Sequence, residues 1–356
     1  MLPETVTTLA NLTTLRVGGP AERLVTAATT DDLVDAVREV DDADEPLLLV
    51  AGGSNLLVGD EPVPGTVVRV ATRGVGVESQ DACAGVSVRV AAGEPWDELV
   101  ARAVAEGWVG IEALSGIPGT VGATPVQNVG AYGQEVSQTI AQVRVWDRQD
   151  QQARTLASAD CRFEYRHSVF KGTDRYVVLD VLFQLRLGEL SAPVEYAALA
   201  TGLGTEVGAR VPLAQARDAV LAQRRQRGMV LDADDHDTWS AGSFFTNPVL
   251  GRVGVQQLLD RVHQHLGPQV EPPLWPTEGT GTKTSAAWLI ERAGFGRGYG
   301  LPGPAALSTK HTLALTNRGG ARAADLLALA REVRDGVRDR FGVTLVNEPV
   351  LVGHQL

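Results

Sequence analysis

The chain has few cysteines and no excess of basic residues. Only Cys83 and Cys161 occur among its 356 residues, which excludes a disulfide framework and a cysteine-rich metal cluster. The formal net charge is −11, whereas proteins with a general affinity for nucleic acid or anionic membranes carry a broad basic surface. We therefore expect neither nucleic acid nor a bound metal ion.

Long hydrophobic runs are also missing. No apolar stretch approaches the roughly 20 residues that are needed to span a bilayer. The first residues, MLPETVTTLANLTT, lack the basic start and apolar centre of a signal peptide. The sequence predicts a soluble, cytoplasmic protein without membrane insertion, and its length predicts two or three domains.

Several familiar enzyme motifs are absent or incomplete. The segment EGTGTKTS around Lys283 lacks the glycine that directly precedes the lysine of a P-loop. The segment DADDHD, residues 232–237, lacks the sharp-turn glycine and the closing glutamate of a calcium loop, and we interpret it as a solvated loop. No GxGxxG opens a helix, and neither HExxH nor GxSxG occurs, so most well-known enzyme classes are unsupported.

Helix and strand patterns alternate irregularly along the chain. Thr30 precedes two aspartates and an apolar periodicity, which predicts a capped amphipathic helix. Further helices are predicted over 95–106, over 255–266, from about 284, and through a last periodic stretch that ends at Phe341. Strand patterns occur in PLLLVAGGSNLLVGD, VSVRVAAG, VRVWD, YVVLDVLFQLRL and VTLVNEPVLVG. Many short strands of this kind favour an α+β fold over a regular parallel sheet.

Two glycine-rich segments interrupt these patterns. In AGGSN, residues 51–55, successive backbone N–H groups can surround a phosphate, although an ordinary tight turn is the alternative. The second segment, LSGIPGTVGATPVQNVGAYG, covers 114–133. Its glycines and prolines disfavour a helix or strand, and its apolar residues argue against disorder. This composition predicts a loop that wraps around a ligand.

Five motifs occur in one order along nearly the whole chain: AGGSN, GIPGTVGATPVQNVGAYG, CRFEYRHSVF, AGSFFTNP and a terminal NEP. Together they resemble the UDP-N-acetylenolpyruvoylglucosamine reductases of peptidoglycan synthesis. The segment PVEYAAL, at Tyr196, resembles the longer, tyrosine-loop variant of that family. The first two motifs would also fit the wider group of FAD oxidases that share the flavin-binding fold, but the last three belong to the reductases.

The resemblance implies an α+β fold of three domains. Two N-terminal FAD-binding domains would be of the PCMH/vanillyl-alcohol-oxidase-like type, and a C-terminal α+β domain would bind substrate. The boundaries that we place are 1–72 and 73–227 for the flavin domains and 228–342 for the substrate domain. Residues 343–356 would form a C-terminal strand that carries Glu348 back to the active site.

The activity implied by the resemblance is the NADPH-dependent reduction of UDP-N-acetylglucosamine enolpyruvate to UDP-N-acetylmuramate through non-covalently bound FAD. This reaction serves cell-wall synthesis, on which cell shape and cell division depend, and we expect a monomeric enzyme. Arg166 of the YRxS motif would stabilise the enolate, Ser243 of AGSFF would protonate it, and Glu348 of NEP would be the second stabilising group. A carboxylate that faces an enolate must carry or share a proton, so we predict a raised pKa for Glu348.

The resemblance also implies binding residues, with the FAD pyrophosphate on the backbone amides of 52–55 and 116–122. The FAD contacts would be Arg16, Gly52, Gly53, Ser54, Asn55, Leu56, Ser115, Gly116, Ile117, Pro118, Gly119, Gly122, Ala123, Gln127, Asn128, Gly130, Ala131, Tyr132 and Gly133. The substrate contacts would be Tyr165, Tyr196, Arg227, Asn247, Lys283 and His311. Arg227 stands where many members of this variant have a lysine, and His167, in the variable position of YRxS, has no expected role.

Two other functions remain open at this point. One is a flavin oxidase that passes electrons from a small alcohol or sugar to oxygen. The other is a non-catalytic binder of a flavin or a sugar nucleotide, which would tolerate the loss of Arg166, Ser243 and Glu348.

Overall fold

The computed structural model describes residues 8–277 and 279–356. Its helices are α1 (Thr30–Asp42), α2 (Trp96–Ala105), α3 (Ala197–Leu203), α4 (Leu213–Gln226), α5 (Arg252–Leu266), α6 (Ala286–Ala293) and α7 (Ala323–Phe341). Its strands are β1 (Ala21–Ala27), β2 (Leu47–Val50), β3 (Leu56–Val58), β4 (Val63–Val70), β5 (Val75–Asp81), β6 (Gly85–Ala91), β7 (Trp108–Val109), β8 (Gly130–Ala131), β9 (Gln134–Glu135), β10 (Ile140–Asp147), β11 (Gln152–Ala157), β12 (Tyr176–Leu187), β13 (Val249–Leu250), β14 (Leu274–Pro276), β15 (Thr282–Thr284), β16 (Ala305–Leu307), β17 (Leu315–Asn317) and β18 (Val350–Val352).

The chain divides into two compact units that alternate along the sequence. The first, here called the sheet unit, consists of Ala21–Gly53 and Val63–Gln226. The second, here called the helix unit, consists of residues 8–20 with Ser54–Pro62 and Arg227–Leu356. The boundaries of the four segments predicted above stay predictions.

The sheet unit begins with a small parallel sheet of strand order β1-β4-β2. Helix α1 covers it and buries Leu33 and Val37. The predicted N-cap was one residue late, because Thr29 rather than Thr30 accepts from the amide of Asp32, whose carboxylate accepts the Thr29 amide in return. This reciprocal capping box satisfies two amide groups at the start of the helix.

The larger sheet of the same unit has the order β11-β10-β12-β6-β5, and its strands pair antiparallel. Helix α2 packs on it through Trp96 and Val100, which are fully buried. Helices α3 and α4 form a smaller apolar cluster with Ala113. A large antiparallel sheet of this kind, beside a small parallel one and several helices, confirms the α+β prediction.

The helix unit is built around α5, α6 and α7, whose buried residues form one core. Leu15, Val17 and Leu57, which lie far away in the sequence, belong to the same core. Strand β3 pairs in parallel with β18, so Leu56–Val58 lies beside Val350–Val352. The first and last parts of the chain therefore complete the same unit.

Two predicted elements have different bounds from those expected. Helix α5 begins at Arg252, three residues before the predicted start at Val255. In the terminal segment only Val350–Val352 is a strand, so Glu348 lies before the strand and not within it. The proline at 349 has no backbone N–H to donate to a ladder, and the chain makes only an isolated bridge there, between Asn347 and Phe245.

The interpretation of residues 232–237 as a solvated loop was wrong for Asp237. Its side chain is 5% exposed and forms an ion pair with Arg318 at 2.8 Å. Its two oxygens accept from the backbone N–H and the hydroxyl of Thr309. A charge can be buried when it is paired and hydrogen-bonded in this way, and these partners are too distant in sequence to be inferred.

Across residues 8–277 and 279–356, no helix is long and apolar enough to cross a membrane. In the same part of the chain, no group of three or more His, Cys, Asp or Glu side chains could hold a metal ion.

Candidate active site

The glycine-rich loop of residues 114–133 is packed into the sheet unit. Val121 and Gly122 are buried, as are Leu114 and Ser115. The loop also approaches the first glycine-rich segment closely, since a Cβ atom on Gly52 would lie 2.6 Å from the Cα of Gly119. Only glycine allows such an approach of two backbones.

Several amides of this loop already have protein acceptors. Gly116 donates to Asp97 Oδ1 at 2.6 Å, and the amides of Val121 and Gly122 donate to the carbonyl groups of Glu94 and Ala92, each at 2.8 Å. These three amides therefore bond within the protein, and the predicted contact of 116–122 with the pyrophosphate stays a prediction. Among the hydrogen bonds of the described residues, the amides of Ile117, Gly119 and Thr120 have no such partner.

The loop also carries a hydroxyl group that is suited to a ligand. Thr120 is 8% exposed, and its Oγ1 is buried without a hydrogen-bond partner within the described residues. A buried polar atom of this kind normally has a partner. The unpartnered hydroxyl, the neighbouring amides and the close glycine pair form a cradle that fits an anionic, hydrogen-bonding cofactor such as FAD.

Arg166 lies in a tight turn beside this loop. Glu164 and His167 exchange both backbone hydrogen bonds, so Tyr165 and Arg166 form the tip of the turn. Arg166 has a φ of 55°, which is uncommon for a residue other than glycine and is often found at functional sites. Tyr165 is 41% exposed, and the Arg166 guanidinium lies 5.2 Å from the centre of its ring.

Side-chain hydrogen bonds join the turn to the glycine-rich loop. Arg166 Nη2 donates to the carbonyl of Gly130 at 3.0 Å. Asn128 Nδ2 donates to the carbonyl of Glu164, and the Ser168 hydroxyl donates to the carbonyl of Val126 at 2.7 Å. The turn that bears YRxS is therefore hydrogen-bonded to the loop at Val126, Asn128 and Gly130.

The end of the loop contacts the predicted tyrosine segment. The ring of Tyr132 meets the ring of Tyr196 edge-on, with 5.5 Å between their centres. Tyr196 itself is 43% exposed and directly precedes α3. A Cβ atom on Gly133 would meet the side chain of Glu195, so the loop and the segment before α3 lie in contact.

In the helix unit, the AGSFF and NEP motifs run side by side. The amide of Glu348 donates to the carbonyl of Phe244 at 2.8 Å, and the amide of Phe244 donates to Leu313 at 2.7 Å. Ser243 and Glu348, both half-buried, therefore stand on adjoining backbone segments. The loop that bears His311 lies on the other side of Phe244.

Asn55 of the AGGSN motif fastens the NEP segment. Its Nδ2 donates to the carbonyl of Glu348 at 3.3 Å, and its own carbonyl accepts from Val350 at 2.9 Å. The chain passes from the sheet unit into the helix unit between Gly53 and Ser54. Asn55 thus holds the backbone of the NEP segment, in addition to its predicted contact with the flavin.

His311 is largely buried among positive charges. Burial, together with the charges of Arg227 and Arg297, lowers its pKa to about 4. His311 is therefore neutral at pH 7 and can offer one donor and one acceptor. Arg297 was not predicted from the sequence.

Two other predicted substrate residues have visible partners in the helix unit. Asn247 Oδ1 accepts from the amide of Ala286 at 3.0 Å, at the start of α6, which leaves its NH2 group for other partners. Lys283 lies in the middle of a three-stranded sheet, directly opposite Val249 on one side and Trp275 on the other.

Arg16, the predicted flavin contact near the start of the chain, has a φ of 52°. Its guanidinium lies 3.8 Å from the centre of the Trp239 ring, a stacking geometry that orients arginine. The Nε1 of Trp239 is buried without a partner within the described residues. Trp239 was missed because a single tryptophan in an irregular segment gives no sequence signal.

The structure thus places the predicted residues in two groups. The sheet unit holds most of the predicted flavin loop, the turn of Tyr165 and Arg166, and Tyr196. The helix unit holds Arg16, Asn55, Ser243, Glu348, Arg227, Asn247, Lys283 and His311.

Comparison with known families agrees with this division. Residues 21–155 match the family model described as FAD binding domain. Residues 234–352 match the model described as UDP-N-acetylenolpyruvoylglucosamine reductase, C-terminal domain. The fold and the glycine-rich cradle therefore define a flavin-binding protein of the FAD-dependent oxidoreductase class.

Full-length relatives narrow the class to one family. UDP-N-acetylenolpyruvoylglucosamine reductase from Thermobifida fusca is 58% identical over 97% of this chain and 96% of the relative. The protein of the same name from Streptomyces avermitilis is 57% identical over 98% of this chain and 94% of the relative. The crystal structure of the reductase MurB from Thermus caldophilus aligns with a TM-score of 0.62 at 26% identity and covers 97% of both chains. The chain belongs to the UDP-N-acetylenolpyruvoylglucosamine reductase family, which confirms the resemblance inferred from its motifs.

Proposed function

We propose that this chain reduces UDP-N-acetylglucosamine enolpyruvate to UDP-N-acetylmuramate, with FAD as cofactor and NADPH as the source of hydride. The observation that carries the proposal is the pairing of the AGSFF and NEP segments, which brings Ser243 and Glu348 onto adjoining backbones. The names of the relatives and the match to an FAD-binding domain support the same activity.

The residues that would hold FAD are those of the two glycine-rich segments. The amides near Gly52, Ile117 and Gly119 are suited to the pyrophosphate, because backbone dipoles supply positive potential without adding net charge. When bound, FAD would supply the hydride chemistry between NADPH and the vinyl carbon of the enolpyruvyl group. Arg16, which stacks on Trp239, would add a charged contact to the cofactor.

Arg166 would bind the carboxylate of the enolpyruvyl group. Hydride transfer leaves negative charge on the carbon beside that carboxylate, and a fixed guanidinium fork stabilises such charge. The hydrogen bond from Arg166 to Gly130 holds the side chain before substrate arrives, so less reorganisation is needed during the reaction.

Ser243 would give its proton to the enolate carbon. A serine hydroxyl is a weak acid, and the role therefore needs close placement and a group that replaces the proton. Glu348, on the adjoining segment, is the candidate for that relay. In its protonated form it would also stabilise the enolate, which is why we predict a raised pKa for its carboxyl group.

The remaining polar residues would bind the nucleotide sugar. Tyr196, exposed at the start of α3, would fold over the diphosphate. Arg227 and Lys283 would contribute positive charge, while Asn247 and the neutral His311 would contribute hydrogen bonds. Tyr165 would line the same substrate site beside Arg166.

The test is an anaerobic absorbance titration of the FAD-loaded protein. NADPH should bleach the band of oxidised flavin, and the enolpyruvyl sugar nucleotide should then restore it. Bleaching without this recovery, followed by rapid return when oxygen is admitted, would favour the oxidase instead. If no flavin band appears after incubation with FAD, the proposal is wrong.

A monomeric state and a cytoplasmic location are part of the proposal. Size-exclusion chromatography with light scattering tests the first. Fractionation of cells that produce the protein from its own gene tests the second.

A further inference from the structure

An ion pair in the sheet unit has no part in the mechanism proposed above. Arg217, on α4, faces Asp97, on α2, with Nη1 2.7 Å from Oδ1 and Nη2 2.8 Å from Oδ2. Two parallel bonds of this kind are the strong, directional geometry of arginine with a carboxylate. The Arg217 side chain is only 16% exposed, so the pair is partly shielded from solvent.

The same carboxylate holds the start of the glycine-rich loop. Asp97 Oδ1 also accepts the amide of Gly116 at 2.6 Å, and Gly116 has a φ of 72°, which favours glycine. Burial raises the pKa of Asp97, but the hydrogen bonds from Arg217 and Gly116 and the charge of Arg224 outweigh it and hold the pKa below its ordinary value. Asp97 is therefore charged at neutral pH, and Arg217 balances its charge.

The segment that carries α3 and α4 contacts the other end of the loop as well. Tyr132 packs against Tyr196 and against the apolar cluster of α3 and α4. Buried Glu112 accepts at Oε1 from the amide of Ala192 at 2.6 Å and from the side chain of Gln134 at 3.1 Å. The loop is thus fixed at both ends by the same segment.

We propose that Arg217 and Asp97 are positioning residues for FAD, an inference that rests on the proposed function. By holding the amide of Gly116, the pair fixes the turn from which the amides of Ile117 and Gly119 reach the cofactor phosphates. Arg217 also neutralises a carboxylate that would otherwise repel the diphosphate. Neither residue needs to touch the cofactor.

This arrangement predicts unequal effects of the two single substitutions. Arg217→Gln leaves an unbalanced carboxylate beside the loop, and we expect the Kd for FAD to rise by about tenfold. Asp97→Asn keeps an oxygen for the amide of Gly116 and adds no negative charge, so the rise should be less than about threefold. The double variant should bind FAD like Asp97→Asn, because the repelling charge is gone.

The measurement is the Kd of FAD for the apoprotein, from quenching of flavin fluorescence, together with the apoprotein's thermal midpoint. The matched control is Arg175→Gln, which breaks another two-bonded pair of the sheet unit, with Asp147 at 2.9 and 2.7 Å. The control should lower the thermal midpoint without changing the Kd for FAD. If Asp97→Asn restores the Kd for FAD in the Arg217→Gln background, the pair acts on FAD binding, because a pair that only stabilised the fold would not give this result.

The outcomes separate this inference from the proposed function. If the unmodified apoprotein binds no FAD, the proposed function itself fails. If it binds FAD and Arg217→Gln binds equally well, or the double variant binds no more tightly than Arg217→Gln, only the positioning role is overturned. If Arg217→Gln does not fold, Arg217→Met replaces it: a Kd raised several-fold and restored by Asp97→Asn supports the positioning role, and an unchanged Kd overturns it.

Discussion

At the scale of single residues, the proposed acid, Ser243, owes its position to backbone hydrogen bonds of its neighbour Phe244. Ser243 is one residue from Phe244, whose amide and carbonyl bond to the two adjoining segments. These hydrogen bonds fix the backbone from which the Ser243 side chain extends. A weak acid such as a serine hydroxyl can act as a proton donor only when it is held close to the acceptor.

Ser243→Ala should leave the reduction of flavin by NADPH unchanged and lower turnover of the enolpyruvyl substrate by about a thousandfold, the size of effect that general-acid catalysis contributes. Stopped-flow absorbance measures the two half-reactions separately. Thr246→Ala, which removes a hydroxyl from the same segment, is the control. An unchanged steady-state rate for Ser243→Ala would remove this serine as the acid.

His311 gives a prediction about pH. Its pKa is about 4 in the folded protein against an ordinary value of 6.5, so the unfolded chain binds a proton more readily as the pH falls through this range. Folded stability should therefore decrease between pH 6.5 and pH 4, by at most about 2 kcal/mol at pH 5. His311→Gln should lack this part of the pH dependence when the free energy of urea unfolding is compared at pH 7 and pH 5. Equal pH dependence of the two proteins would contradict the buried, neutral histidine.

At the scale of elements, the segment 232–237 acts as a brace for the loop of 309–311. Asp237 binds both polar groups of Thr309 and pairs with Arg318, while Asp235 pairs with Lys310 at 2.6 Å. Loops that carry binding residues need such supports, because their own backbone offers few internal hydrogen bonds.

Asp237→Asn should therefore destabilise the helix unit by about 2 kcal/mol at pH 7, since it breaks a buried charge-assisted network. Burial raises the pKa of Asp237, but its bonds to Thr309 and Arg318 hold it below the ordinary value of 3.8. The stabilisation is thus fully present above that value and is lost as the pH falls below it. Urea unfolding at pH 7 and pH 3, with the exposed neighbour Asp234→Asn as control, measures the difference. A gap between Asp237→Asn and the unmodified protein that does not narrow at pH 3 would contradict this account.

The elements that the sequence predicted are those whose signal is local. Helix α2 lies within one residue of the predicted range at each end, because its apolar periodicity and flanking residues are contiguous. The N-cap of α1 was predicted one residue late because either of the adjacent threonines, Thr29 or Thr30, could act as the N-cap. By contrast, the hydrogen bond from the Gly116 amide to Asp97 joins residues that are distant in sequence, and no local pattern predicts it. Composition alone predicted a ligand loop for 114–133 and left AGGSN as either a phosphate-binding segment or a tight turn. Which amides remain for a ligand could be seen only in the structure.

At the scale of the whole molecule, each of the two units is built from separate stretches of the sequence. Residues 8–20 precede the sheet unit in sequence yet contribute Leu15 and Val17 to the core of the helix unit. A hydrophobic pattern indicates that a residue is buried, but it does not show which distant residues it packs against. Domains predicted as consecutive stretches of sequence therefore cannot include this exchange of segments between the units.

Leu15→Ala should accordingly destabilise the C-terminal helices and not the strands that directly follow it. Leu15 is fully buried, and such a truncation costs about 2–5 kcal/mol. Hydrogen exchange measured by mass spectrometry should show lost protection in α5, α6 and α7. Leu33→Ala, also fully buried but on α1, is the matched control and should expose the small parallel sheet instead. If Leu15→Ala instead exposed the small parallel sheet and Leu33→Ala exposed α5, α6 and α7, the assignment of residues 8–20 to the helix unit would be contradicted.

The pairing of β3 with β18 has a consequence for synthesis of the protein. Strand β3 leaves the ribosome long before its partner Val350–Val352 is translated. At about 5–20 residues per second, the intervening chain takes on the order of tens of seconds to appear. During that time β3 lacks its partner strand and Leu57 lacks the later part of its core, so the nascent chain is exposed to aggregation and open to chaperones. The helix unit therefore cannot be completed until Val350–Val352 has emerged, even if the sheet unit has already folded.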